Sequence, residues 1–229
     1  MTTFTRLVMI RHTQPQRSMS GRCYGSLDVA LSSSGIDDAR NIAESLRGIG
    51  FAAIYSSPLT RARDTAAPLA RAARRELLVD QGLREISFGD FEGRSYEEIE
   101  QRYPDLFAAW MESPTKIRFP SGESFEDVKL RAWASVNSIV ERHSGDVVAI
   151  VTHGGVLRSI LVAGLEMSDH AAFRLEQSYG AINIIDWVDS APLLRVMNAT
   201  AAMVACRDEG FIAPYAFGFK TEDSAEETS

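Results

Sequence analysis

The sequence predicts an α/β fold in three layers, α/β/α, with a mostly parallel central sheet, and three observations carry that expectation. First, the apolar runs at 7–10, 51–55 and 147–152 are short and lack the polar alternation of a half-exposed strand. Strands of a parallel sheet, buried on both faces, read this way. Second, helical periodicity recurs between such runs: Ile36, Ala39, Ala43, Leu46 and Ile49; Leu59, Ala62, Ala66 and Leu69; Phe125, Val128, Ala132, Val136 and Ile139. Third, three of the runs end on polar chemistry, at Arg11-His12, Ser56-Ser57-Pro58 and His153-Gly154-Gly155. Open α/β sheets bring such strand ends to one crevice.

The elements follow in order. The strand at 7–10 is closed by Arg11 and His12, and 13–31 is a long loop rich in Ser, Gly, Gln and Pro. Long loops of this kind are often functional. Ser34 precedes a helix with Asp37 and Asp38 in its first turn, ended by Gly48 and Gly50. After the strand at 51–55, Ser57 reads as an N-cap and Pro58 as the first helical residue, which puts Arg61 in the first turn. A third strand at 76–79 leads into a loop at 82–93. The stretch 95–110 is helical but interrupted by Pro104, and 114–122 is a loop punctuated by Pro and Gly. A long amphipathic helix fills 124–142, then come a strand at 147–152 and a helix at 156–165. Residues 181–188 and 193–197 read as paired strands around a turn at 189–192. Residues 1–210 form one domain without repeats; 211–229 are irregular, and the acidic, apolar-poor 221–229 read as disordered.

Composition narrows the function. With a net charge of −7 there is no general basic footprint for nucleic acid, so arginines that matter must form a local positive pocket. Two cysteines, Cys23 and Cys206, make neither a disulfide framework nor a metal cluster, and they fit a reducing compartment. The apolar run at 7–10 is too short for a signal-peptide core, and nothing nears the roughly 20 apolar residues of a membrane span. A soluble cytoplasmic protein with no membrane partner is expected, and a homodimer is left open.

The residues at the strand ends carry the chemistry. A lone histidine is most often structural, but His12 follows Arg11, whose fixed cation opposes metal binding and attracts a phosphoryl group. Most helix arginines are surface residues, and Arg63 reads so. Arg61 differs because free N–H groups and the helix dipole of a first turn also favour anions. A guanidinium grips phosphate oxygens in pairs. His153 stands where a strand ends, before glycines that let backbone approach a ligand. Glu85 lies in a segment mixing acids, glycines and aromatics; a carboxyl beside a phosphate dianion keeps its proton more readily and can donate it to a leaving oxygen. On composition alone Glu92 could do the same.

Taken together, Arg11-His12-Thr13, Ser56 to Ala62, Glu85 to Gly93 and Thr152-His153-Gly154-Gly155 resemble the histidine phosphatase superfamily, in its order and spacing from about Leu7 to about Met197. The branch is the one that includes cofactor-dependent phosphoglycerate mutases. Arg22 to Val29 and Ser121-Gly122-Glu123-Ser124 are similar to segments of its alpha-ribazole phosphatases. The resemblance implies a phosphoglycerate mutase-like fold and metal-independent, cofactor-free hydrolysis of a small phosphomonoester through a phosphohistidine, with alpha-ribazole 5′-phosphate a substrate to consider. His12 would then be the nucleophile and Glu85 the proton donor. Arg11, Arg61 and His153 would hold the phosphoryl group, and Gly154, Tyr24, Gly25 and Ser18 would line the substrate side. Thr13 stands where many members have Gly, and Ser18 where an Asn is common. Ile86-Ser87-Phe88 replaces the mutases' Arg-His-Tyr, which favours a phosphatase over a mutase. A non-catalytic phospho-ligand or partner-binding module on the same fold is the main alternative.

Overall fold

The structure is a computed structural model that describes residues 4–16, 18, 20–188 and 191–205. Its centre is a six-stranded sheet in the order β3-β2-β4-β1-β5-β6. The strands are β1 (Phe4–Arg11), β2 (Phe51–Ser56), β3 (Leu77–Val79), β4 (Val147–Thr152), β5 (Ile182–Val188) and β6 (Ala191–Ala199). β1 pairs parallel with β4, and β2 parallel with both β4 and β3; β5 and β6 add an antiparallel edge. The sheet is thus mostly parallel.

Alternation along β1 builds the two cores. Leu7 and Met9 pack with Ile150, Val136, Val156 and Leu157, while Val8 and Ile10 pack on the opposite face with Ile42, Ala62, Leu69 and Val151. Helices α1 (Ser33–Ser45) and α2 (Thr60–Ala73) therefore cover one face, with α5 (Phe125–Arg142) and α6 (Gly154–Gly164) on the other. Fully burying each such aliphatic side chain contributes on the order of 1.5–3 kcal/mol. Between β3 and α5 lie α3 (Tyr96–Arg102) and α4 (Pro104–Glu112), with Ser95 closing a capping box and Pro104 opening the second helix.

Several boundaries differ from the expectation. The N-cap of α1 is Ser32, whose hydroxyl accepts from Gly35 N, rather than Ser34. Helix α2 starts at Thr60, not at Pro58, and its cap comes from a distant residue: Asp28 accepts from Thr60 N at 2.7 Å and from Thr60 Oγ1 at 2.8 Å. Gly154 and Gly155 open α6 instead of preceding it, with His153 as its N-cap. The loop at 82–93 contains single 3₁₀ turns at Gln81–Leu83 and Gly89–Phe91. β6 starts at Ala191, inside the expected turn, and a short helix α7 (Ala201–Ala205) follows it. The expected irregular tail at 211–229 lies outside the described residues.

Among the described residues, no helix is long and apolar enough to cross a membrane.

Candidate active site

Strand register assembles the site. Arg11 on β1 lies opposite Thr152 on β4, so the residues that follow, His12 and His153, emerge side by side. His12 N donates to Thr152 O at 2.8 Å, and the two imidazole centroids are 5.1 Å apart. β2 pairs with the other edge of β4, Ser56 opposite Val151, which delivers Ser57 next to His153. The Ser57 hydroxyl lies 2.7 Å from His153 Nε2.

His12 Nδ1 sits 2.8 Å from Thr13 O. A carbonyl can only accept, so Nδ1 carries the proton and Nε2 keeps its lone pair. Burial, and then the cations Arg61 and Arg11, hold the His12 pKa well below its ordinary value near 6.5. A neutral imidazole with a bare Nε2 beside two arginines is a nucleophile for an electron-poor, anion-bearing centre. His153 is held neutral by the same causes, burial first and then Arg61. Ser57 Oγ already accepts from Leu59 N, which leaves its O–H free to donate to Nε2 and the His153 proton on Nδ1.

Arg61 is fully buried at the second position of α2, with Nη1 donating to Leu27 O and Nη2 to Gly25 O. Arg63, by contrast, is exposed, as expected of a surface arginine. Arg11 donates through Nη1 to Gln177 O. Among the described residues, the buried side-chain nitrogens and oxygens without a protein partner are Arg11 Nε, Arg61 Nε and His153 Nδ1. Buried polar groups are ordinarily paired. Three orphaned nitrogens on three residues of one site mark it as built to receive anionic oxygens.

Glu85 joins from the loop after β3. Thr152 Oγ1 donates to Leu83 O, and Arg131 on α5 donates to Gly82 O and Arg84 O while paired with Glu123, whose carboxylate accepts from Ser87 N. Held so, Glu85 accepts from Gly155 N at 3.2 Å. A Cβ on residue 155 would lie 2.6 Å from Glu85 Oε1, so this approach needs glycine. Glu92 is used differently: its Oε1 accepts from Ser26 N, Ser26 Oγ and Phe88 N, a brace for the loops. Geometry thereby separates two glutamates that composition left equivalent.

The expected site residues Arg11, Tyr24, Gly25, Glu85 and Gly154 line one cavity of about 310 Å3, with His12, Arg61 and His153 buried beside them. Gly25, at φ +32, lets Phe88 and Glu92 approach where a Cβ would collide, and its carbonyl receives Arg61. Ser18 is exposed and is not among the lining residues. Thr13 turns inward, donating to Gly35 O and accepting no role in the cavity wall. The residue not foreseen is Tyr179. Its ring covers the Arg11 guanidinium at 4.0 Å and lies 5.5 Å from His12. β5 runs antiparallel to β1, so its entry loop reaches the crevice, a pairing with no local sequence signal.

Among the described residues, no three His, Cys, Asp or Glu side chains gather into a metal-ligating group. The model of the histidine phosphatase superfamily, branch 1, matches residues 7–200. The chain belongs to that family.

Proteins similar to this chain bear varied names. A bifunctional protein of Mycobacterium tuberculosis is 34% identical over 200 residues, 86% of this chain and 55% of that protein. The chain thus spans about half the length of that relative. Phosphoserine phosphatase 1 of Hydrogenobacter thermophilus is 32% identical over 182 residues, covering 78% of this chain and 86% of its own. Among solved structures, the alpha-ribazole phosphatase of Shigella flexneri superposes with a TM-score of 0.78 at 26% identity, covering 85% of this chain and 96% of that one.

Proposed function

We propose that this protein is a phosphomonoesterase that hydrolyses a small phosphorylated metabolite through a phosphohistidine on His12, without a metal. The observation that carries the reading is the bare Nε2 of a neutral, buried His12 between Arg11 and Arg61. The names of the similar phosphatases support the reaction class. They differ in substrate, and alpha-ribazole 5′-phosphate is the first to try, because Arg22 to Val29 is similar to that subgroup.

The chemistry proceeds in two displacements. His12 Nε2 attacks phosphorus as the bond from phosphorus to the alcohol oxygen breaks. Arg11, Arg61 and the His153 Nδ1 proton stabilise the charge on the equatorial oxygens. Glu85 gives its proton to the departing alkoxide, and the alcohol leaves. Water then attacks the phosphohistidine while the Glu85 carboxylate takes its proton; the N–P bond breaks and inorganic phosphate is released.

Hydrolysis of p-nitrophenyl phosphate in the presence of a chelator tests the reading. The expected result is full activity with chelator and loss of at least about a thousandfold in His12→Ala. Ligand-induced thermal stabilisation with no phosphate release from any ester would instead identify a binding module.

A further inference from the structure

The cavity beyond the phosphoryl cradle is walled by rings. Phe88, Tyr96, Trp110, Phe119, Phe125 and Phe173 line it together with Arg11, Glu85 and Gly154. Tyr96 stacks on Trp110 with centroids 5.6 Å apart and planes 18° apart, and Phe119 meets Phe88 and Trp110 edge-on at 4.7 and 5.3 Å. Phe119 and Phe125 are buried, so this wall is fixed by packing. At the rim the situation reverses: Tyr96 is 43% exposed and Phe173 54%. Apolar rings held in water at the mouth of a polar site mark a surface that a ligand covers.

Two cations on this side are anchored to the protein. Arg22 donates to Gly93 O and pairs with Glu98, while Arg158 donates to Leu175 O, lies over the Phe173 ring at 5.7 Å and feels the charges of Glu85 and Glu176. A flat ring here meets offset and edge-on partners on the wall. We infer that the alcohol half of the substrate carries an aromatic ring that stacks in this cavity between Tyr96 and Phe173. This rests on the phosphatase reading above and names the class of ester that it takes.

The test compares 2-phenylethyl phosphate with ethyl phosphate, whose alcohols are similar in acidity, so leaving-group chemistry does not decide the ratio. The expected kcat/KM ratio for the wild-type protein is about tenfold or more in favour of the phenyl ester. In Tyr96→Ala with Phe173→Ala, both exposed positions, the ratio should fall to within about threefold of one. A wild-type ratio near one, or a ratio unmoved in the double variant, overturns the inference. No turnover of either ester or of p-nitrophenyl phosphate defeats the phosphatase reading itself, and the inference with it.

Discussion

Tyr24 and Tyr179 meet hydroxyl to hydroxyl at 2.9 Å, and each ring covers one of the two site arginines, Tyr24 over Arg61 and Tyr179 over Arg11. Beneath them His12 is 1% exposed and Arg61 and His153 are not exposed at all. The Tyr179 ring also lies 5.5 Å from the His12 ring. Removing one ring should therefore expose the nucleophile. In Tyr179→Ala, diethylpyrocarbonate is expected to modify His12 at least about fivefold faster than in the wild type, scored by peptide mass. An unchanged rate would show that the pair is no barrier.

Glu85 is assigned the leaving-group proton, and the dependence on the alcohol tests it. For an alkyl phosphate, Glu85→Gln should lower kcat by about 10²–10⁴. For p-nitrophenyl phosphate, whose leaving group departs without a proton, the loss should be smaller, because only water attack still needs the carboxylate. Equal losses on both esters would place Glu85 in the second step alone.

The contact between Gly155 and Glu85 makes a related prediction. A methyl group on residue 155 would sit 2.6 Å from Glu85 Oε1 and displace the carboxyl. Gly155→Ala should lower kcat for an alkyl ester by roughly tenfold or more, with little change in melting temperature. Wild-type turnover in that variant would mean that the carboxyl position is not critical.

The histidine pair should show in a pH titration. Burial depresses the folded pKa of His12 and His153 below the ordinary value near 6.5. As pH falls through 6.5 the unfolded chain takes up these protons first, so the stability present above pH 6.5 declines below it. NMR should find both imidazoles still neutral at pH 6, with the melting temperature falling on acidification. Midpoints near 6.5 for either ring would contradict the electrostatics.

The parts of the site that lie at the ends of parallel strands were legible in the sequence. His12, Arg61 and His153 each follow a buried apolar run, and parallel register obliges such ends to meet. Ser57 carried a misleading local signal: Ser-Pro reads as a helix cap, yet its hydroxyl serves His153 while Asp28 caps α2 from across the loop. That exchange depends on tertiary approach, which spacing does not encode. Tyr179 was invisible for the same reason, since its place follows from β5 pairing with β1. Composition alone left Glu85 and Glu92 equivalent; the family resemblance chose Glu85, and the folded loop shows why, with Glu85 set against Gly155 and Glu92 against Ser26. Helix α6 starts two residues early because glycines at 154 and 155 are compatible with a first helical turn as well as with a loop, and α1 ends at Ser45, short of the glycines at 48 and 50 expected to close it.

The proposed mechanism requires that His12 Nε2 becomes covalently phosphorylated during turnover. The direct measurement is rapid acid-free quenching of the protein with ³²P-labelled substrate, followed by peptide mapping. An acid-labile, alkali-stable label is expected on His12 at Nε2, formed and lost at rates that support kcat and absent from His12→Ala. Steady-state hydrolysis with no labelled His12 at any time, together with undiminished turnover by His12→Ala, would contradict it.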